Sequence, residues 1–127
     1  MRLLLDTCTF LWWAGGRPLS ATAAAAVREP SNEVFLSAVS VWEIVTKHRA
    51  GRLPLPEPPD RLIPAERSLR GVTPLPFDED GALQGTRLPA LHRDPFDRML
   101  IAQAIALGLA IVTPDPAITQ YPVRVIW

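Results

Sequence analysis

The feature that most constrains this chain is a series of short, unbroken apolar runs alternating with longer segments of helical pattern. Leu3-Leu4-Leu5 stops at Asp6, as a strand buried on both faces of a parallel sheet does, and Val34-Phe35-Leu36 is a second such run. Val72 to Leu75, Leu109 to Thr113 and Arg124 to Trp127 are three further strand candidates. Between them lie helical segments with recognisable ends. Thr7 to Ala14 is stopped by Gly15-Gly16, and the Ala-rich Ser20 to Glu29 has Ser20 as cap and Pro30 as terminator. Ala38 to Arg49 is closed by Gly51, and Asp94-Pro95 opens the clearest helix, running to Leu107 and stopped by Gly108. Strands that alternate with helices imply right-handed crossovers and helices on both sheet faces. The expected fold is therefore α/β, a three-layer sandwich with a central, mostly parallel sheet. Strand order is not readable from the pattern.

The middle of the chain is less regular. Leu53 to Pro64 is proline-dense and reads as extended chain wrapping the surface before a short helix to Leu69; Asp78 to Leu88 is polar with helical potential. Neither flank could bury a core of its own, so residues 1–127 read as one domain. A hydrophobic content of 48% suffices for a filled core and argues against disorder. The formal net charge is +0, so no global basic field attracts nucleic acid, and a polyanion would need a local basic patch or bound metal. Lys47 is the single lysine among the 13 basic residues. The guanidinium fork suits phosphate, although host codon composition accounts for the same bias. Cys8 has no partner for an internal disulfide, which points to a reducing compartment. The apolar start from Met1 to Ala14 is interrupted by Asp6 and followed by no convincing cleavage site, and no stretch is long enough to span a membrane. A cytoplasmic location is expected.

The acids carry the chemistry. Asp6, Glu43, Asp97 with its neighbour Asp94, and Asp115 each have an ordinary explanation. Asp6, Asp94 and Asp115 fit helix N-caps, and Ser40 with Glu43 has the spacing of a capping box. Their joint placement says more. Asp6 and Asp115 lie at or just beyond the carboxyl ends of strands, while Glu43, Asp94 and Asp97 lie in early turns of helices. In a parallel sheet these positions open onto the one edge where ligands bind. Carboxylates converging there repel and raise one another's pKa unless a cation neutralises them. Hard oxygen ligands favour Mg2+ or Mn2+, and neither His48 nor Cys8 has zinc-ligand spacing. If Ser37 rather than Ser40 caps its helix, Glu43 falls in the second turn among apolar residues and needs either a metal or an Arg as partner. His92, Arg93 and Arg98 flank the Asp94/Asp97 pair and are candidates to hold a substrate phosphate, or else solvated helix-end charges. Both histidines read as exposed, and no Ser-His-Asp set is evident.

With these acids placed, the chain resembles the PIN-domain family, and specifically VapC-type toxins of bacterial toxin–antitoxin pairs. The resemblance runs nearly end to end. It rests on Leu3-Leu4-Leu5-Asp6-Thr7 with Leu11-Trp12-Trp13, on Ser37-Ala38-Val39-Ser40-Val41-Trp42-Glu43-Ile44, and most specifically on His92-Arg93-Asp94-Pro95-Phe96-Asp97-Arg98-Met99-Leu100-Ile101-Ala102-Gln103-Ala104. Val112-Thr113-Pro114-Asp115 and the closing Val125-Ile126-Trp127 complete it.

The resemblance implies a PIN-like fold and Mg2+- or Mn2+-dependent ribonuclease activity acting on an RNA substrate. It also implies inhibition by a small VapB-type antitoxin, and a homodimer. Carried over residue by residue, the catalytic and metal-binding set is Asp6, Glu43, Asp97 and Asp115. Asp97 takes the third place because Ala102 and Ala104 follow it at the family's spacing; Asp94 is the second choice as metal ligand. Arg93 and Arg98 are the substrate-binding candidates, and Thr7 and Thr113 could orient carboxylates. The prolines at Pro54, Pro56, Pro58 and Pro59 depart from the family in a region that shapes its groove and antitoxin contact. Trp12 and Trp13 fit either a shared core role or one core and one interface role. The rival reading is a non-catalytic PIN-like subunit that acts by binding RNA or an antitoxin.

Overall fold

The computed structural model describes residues 1–127, and five strands and seven α-helices account for most of them. Their order is β1 (Arg2–Leu5), α1 (Thr7–Ala14), α2 (Ala21–Arg28), β2 (Glu33–Ser37), α3 (Ala38–Arg49), α4 (Pro59–Arg70), β3 (Thr73–Leu75), α5 (Glu79–Gln84), α6 (Pro95–Leu107), β4 (Ala110–Val112), α7 (Pro116–Thr119) and β5 (Val125–Ile126). The strands form one sheet in the order β3-β2-β1-β4-β5, and every pairing is parallel.

Period-two alternation along the strands divides the apolar side chains between two cores. Leu3, Leu5, Val34, Leu36, Ala110 and Val112 pack on one face with Phe10, Val27, Ile44 and Ile63. Leu4, Phe35 and Ile111 pack on the other with Leu100, Ile101, Ala104 and Ile118. Thus α1, α2 and α4 cover the first face and α6 and α7 the second. Helix α3 serves both, through Ile44 and Val39. This is the three-layer sandwich, and the unbroken apolar runs are explained by burial on both sides.

Local signals set the helix ends. Ser37, not Ser40, caps α3 by accepting from Val39 N at 3.0 Å. Pro95 occupies the first turn of α6, and Gly108 ends that helix with φ 67°, a left-handed conformation that costs glycine no Cβ clash. The proline-rich segment departs from expectation. Helix α4 already begins at Pro59 and runs through Pro64, so the extended stretch is shorter than the sequence suggested. Pro59 sits where a missing N–H costs nothing. Pro64 is an interior proline, a break of roughly 3 kcal/mol in an isolated helix, but Leu62 and Ile63 are buried beside it and hold the helix against the first core.

Strand order now places the site. The chain leaves β1 for β2 and β3, then crosses back to lay β4 on the other side of β1. The crevice beyond the carboxyl ends of β1 and β4 is where such sheets bind ligands. Asp6 follows β1 and Thr113 follows β4, directly at that crevice.

Candidate metal centre

Two buried carboxylates are each held by a threonine. Asp6 stands at the N-cap position of α1, yet its side chain caps nothing. Its Oδ2 instead accepts from the Thr113 hydroxyl at 2.8 Å. On the neighbouring helix, the Thr7 hydroxyl lies 2.7 Å from Glu43 Oε1 and 2.8 Å from Ser40 Oγ. With a single hydrogen, Thr7 donates to the carboxylate and accepts from Ser40. Because Ser37 caps α3, Glu43 falls in the second turn, where it is 5% exposed. Its second oxygen pairs with Lys47 Nζ, one helical turn on. The basic partner of Glu43 is thus the chain's single lysine where an Arg was expected, at a spacing that brings both side chains to one helix face.

Helix α6 brings the other acids. Asp94 caps it conventionally, its Oδ1 accepting from Phe96 N at 2.9 Å and Asp97 N at 3.4 Å. Asp97 is buried and free of capping duty; its Oδ2 lies 2.8 Å from His92 Nε2. The ligating atoms of His92, Asp94 and Asp97 all lie within 4.8 Å of one another. Asp115 caps α7 through Ala117 N at 2.9 Å, and its own N–H donates to the Thr113 hydroxyl at 3.1 Å.

These acids also act on one another through their charges. Burial pushes the Asp6 carboxyl up to about 6; the Thr113 hydrogen bond opposes this, and the charges of Asp97, Glu43 and Asp115 add to it. Asp97 is also raised, first by burial, with His92 opposing and Asp94 and Glu43 adding. Hydrogen bonding to Glu43 raises Lys47, against the effect of its own burial. Partial desolvation, followed by the charges of Asp6, Glu43 and Asp97, pushes the Cys8 thiol up to about 11, so Cys8 is not a thiolate at neutral pH. Asp6 therefore feels the field of acids from α3, α6 and the turn after β4, while the one set whose ligating atoms all lie within 4.8 Å of one another is His92, Asp94 and Asp97.

The donor set fits a hard divalent cation. Three buried carboxylates face only Lys47 and His92 as cationic or potentially cationic neighbours. An excess of desolvated negative charge of that kind is unstable without a counter-ion. Asp6, Glu43, Asp97 and Asp115 could hold Mg2+ or Mn2+, with Asp94 within reach through its uncommitted oxygen.

The basic residues are arranged differently. Arg93 is exposed, just before α6. Arg98 sends Nη1 to the Pro89 carbonyl at 2.9 Å and the Tyr121 hydroxyl at 3.1 Å, so part of its donor capacity is spent inside the protein. Both line a cavity of about 450 Å3 between α5 and α6, with Phe77, Gly81, Pro95 and Met99. The histidines are not exposed as expected: His92 faces Asp97 and His48 Nδ1 lies 2.9 Å from the Leu53 carbonyl oxygen, both half-buried. His92 is covered because its loop is tied back to α6, and His48 because the chain after α3 brings the Leu53 carbonyl to its ring. Trp13 packs against the first core under the Arg70 guanidinium, and Trp12 meets Trp127 edge-on at 6.1 Å.

Comparison with known proteins agrees with this architecture. A family model described as PIN domain matches residues 3–123. Ribonuclease VapC16 of Mycobacterium tuberculosis is 41% identical over 54 residues, which make up 42% of this chain and 38% of that relative. The match therefore spans well under half of that relative's length. Among solved structures, VapBC2 from Rickettsia felis, bound to a DNA fragment from their promoter, superposes with a TM-score of 0.76 at 16% identity over 98% of this chain and 97% of that one. FitAcB from Neisseria gonorrhoeae superposes with a TM-score of 0.65 at 23% identity, covering 97% and 95% of the two chains. With a family model spanning nearly its whole length and a fold shared end to end with these structures, the chain belongs to the PIN-domain family.

Proposed function

We propose that this protein is a VapC-type ribonuclease, the toxin of a toxin–antitoxin pair, which hydrolyses RNA phosphodiester bonds with Mg2+ or Mn2+. The observation that supports this reading is the burial of Asp6, Glu43 and Asp97, with the charges of Asp97, Glu43 and Asp115 all acting on Asp6 at the end of β1. The name of the matching relative, a ribonuclease, supports the activity.

When bound, the cation would polarise a phosphoryl oxygen and make water a better nucleophile near neutral pH. The chain's own residues do the rest. Thr113 and Thr7 fix the planes of Asp6 and Glu43 through their hydrogen bonds. Lys47 neutralises one oxygen of Glu43. Arg93, exposed beside the acids, is placed to meet a backbone phosphate of the RNA. Asp94, already committed to its helix cap, is a supporting ligand at most.

Partners follow from the same reading. One similar solved structure, VapBC-5 from Mycobacterium tuberculosis, is named as a member of the VapBC family of toxin–antitoxin systems, which supports a VapB-type antitoxin, and a homodimer accords with the family. No helix is long and apolar enough to cross a membrane, and we take the protein to act in the cytoplasm.

The test is cleavage of total RNA by the purified protein with Mn2+, with Mg2+ and with chelator. Metal-dependent cleavage abolished by Asp6→Asn is the expected result. A protein that binds RNA but never cuts it, with or without metal, would instead be the binding-only subunit.

A further inference from the structure

His92 lies in the irregular stretch between the short 3-10 turn ending at Arg87 and the start of α6. A side chain on such a loop has no fixed place unless the loop itself is tied down. Here it is tied twice. The His92 main-chain N–H donates to the Tyr121 hydroxyl at 2.8 Å. Arg98, from the first turns of α6, reaches back to the same hydroxyl at 3.1 Å and to the Pro89 carbonyl at 2.9 Å. Tyr121 is itself 3% exposed and packed in the second core. The loop is thus fastened to α6 by Arg98 and to the core by Tyr121.

What these tethers hold in place is the imidazole, with Nε2 at 2.8 Å from Asp97 Oδ2. A carboxylate on a short side chain has a broad, roughly two-fold torsion about its last bond. One N–H donor on Oδ2 removes that freedom and leaves Oδ1 uncommitted. Neither helix capping nor any salt bridge other than His92 claims Asp97. The arrangement has the form seen around bound metals, where a residue outside the coordination sphere orients a ligand.

We propose that His92 is the positioning residue for Asp97: fastened by Tyr121 and Arg98, it donates to Oδ2 and so presents Oδ1 of Asp97 to a divalent cation. Arg98 accordingly acts as a brace for the loop, not as a phosphate grip. The inference rests on the reading of Asp97 as a metal ligand.

The test is Mn2+ binding to the full chain, followed by the electron paramagnetic resonance signal of free Mn2+, with nitrogen couplings read on the bound ion. His92→Ala should lose about 10- to 100-fold in Mn2+ affinity while its circular dichroism stays unchanged. His92→Gln, whose amide can still donate, should recover most of that loss. The bound ion should show no directly coupled imidazole nitrogen. Undiminished binding by His92→Ala, or a loss that His92→Gln does not repair, would overturn the positioning role. So would a strong nitrogen coupling, which would make His92 itself a ligand. A wild-type protein that binds no Mn2+ overturns the metal-centre reading beneath it, and the inference falls with that reading.

Discussion

The hydroxyl of Thr113 donates to Asp6 Oδ2 at 2.8 Å across 107 positions of sequence, and its oxygen accepts the main-chain N–H of Asp115 at 3.1 Å. One fully buried side chain thus joins the end of the central strand to the turn after its neighbour. Thr113→Val keeps the shape and removes both bonds. It should cost about 1–3 kcal/mol, since a buried carboxylate loses its donor, and should weaken Mn2+ binding. Urea denaturation with and without Mn2+ measures both; an unchanged midpoint and affinity would deny Thr113 this organising part.

Asp6→Asn should abolish RNA cleavage while making the metal-free protein more stable at neutral pH. The substitution removes a charge that burial penalises, and Asn can still accept from Thr113. Melting curves on chelator-treated protein check the second half. A less stable Asp6→Asn variant would mean that the carboxylate is a structural asset even without metal.

The pH dependence has a definite sign. The Asp6 carboxyl is raised to about 6 in the folded protein from 3.8. Its contribution is therefore full below the lower value and is lost as pH rises through the upper one. Metal-free protein should lose on the order of 3 kcal/mol from this group between about pH 4 and pH 7. Asp97, raised first by burial, acts in the same direction. The slope should flatten in Asp6→Asn and in wild type with excess Mn2+; equal slopes in all three samples would contradict the assignment.

Asp94 and Asp97 should separate cleanly. Asp97→Asn is expected to eliminate both cleavage and most Mn2+ affinity. Asp94→Asn keeps the helix cap and should retain measurable activity, whereas Asp94→Ala should lose about 1 kcal/mol of stability through the cap alone. Total loss of Mn2+ binding in Asp94→Asn would make Asp94 the principal ligand.

Lys47→Met leaves Glu43 buried without its cation. The metal-free variant should melt earlier than wild type, and saturating Mn2+ should raise its melting temperature by more than it raises that of wild type. Scanning calorimetry across a Mn2+ series tests this. A metal-independent deficit would assign Lys47 a purely structural part.

Much of this was visible in the chain itself. The apolar runs at Leu3–Leu5 and Val34–Leu36 foretold strands buried on both faces, and Asp94-Pro95 marked the start of α6 to the residue. The threonines were also legible, as small hydroxyls next to acids that must be oriented. What escaped were relations set by tertiary contact. Pro64 argued against a helix that Leu62 and Ile63 nonetheless hold by burial. His92 looked solvated because its neighbours in sequence are basic, while its neighbour in space is Asp97. Lys47 could have been found: it stands four residues after Glu43 on one helix, a spacing that pairs opposite charges. The choice between Ser37 and Ser40 as cap decided whether Glu43 faced the interior, and spacing alone left that open.

Strand order has a consequence for the timing of assembly. Of the five strands the central β1 comes first in the chain, yet one of its two neighbours, β4, comes fourth. A growing chain holds Asp6 and Glu43 before Asp97, Thr113 and Asp115, which follow only after β3 and α5. Contacts this distant in sequence also form late and slowly during folding. A fragment truncated before β4 therefore lacks Thr113 and Asp115 and leaves one edge of β1 unpaired.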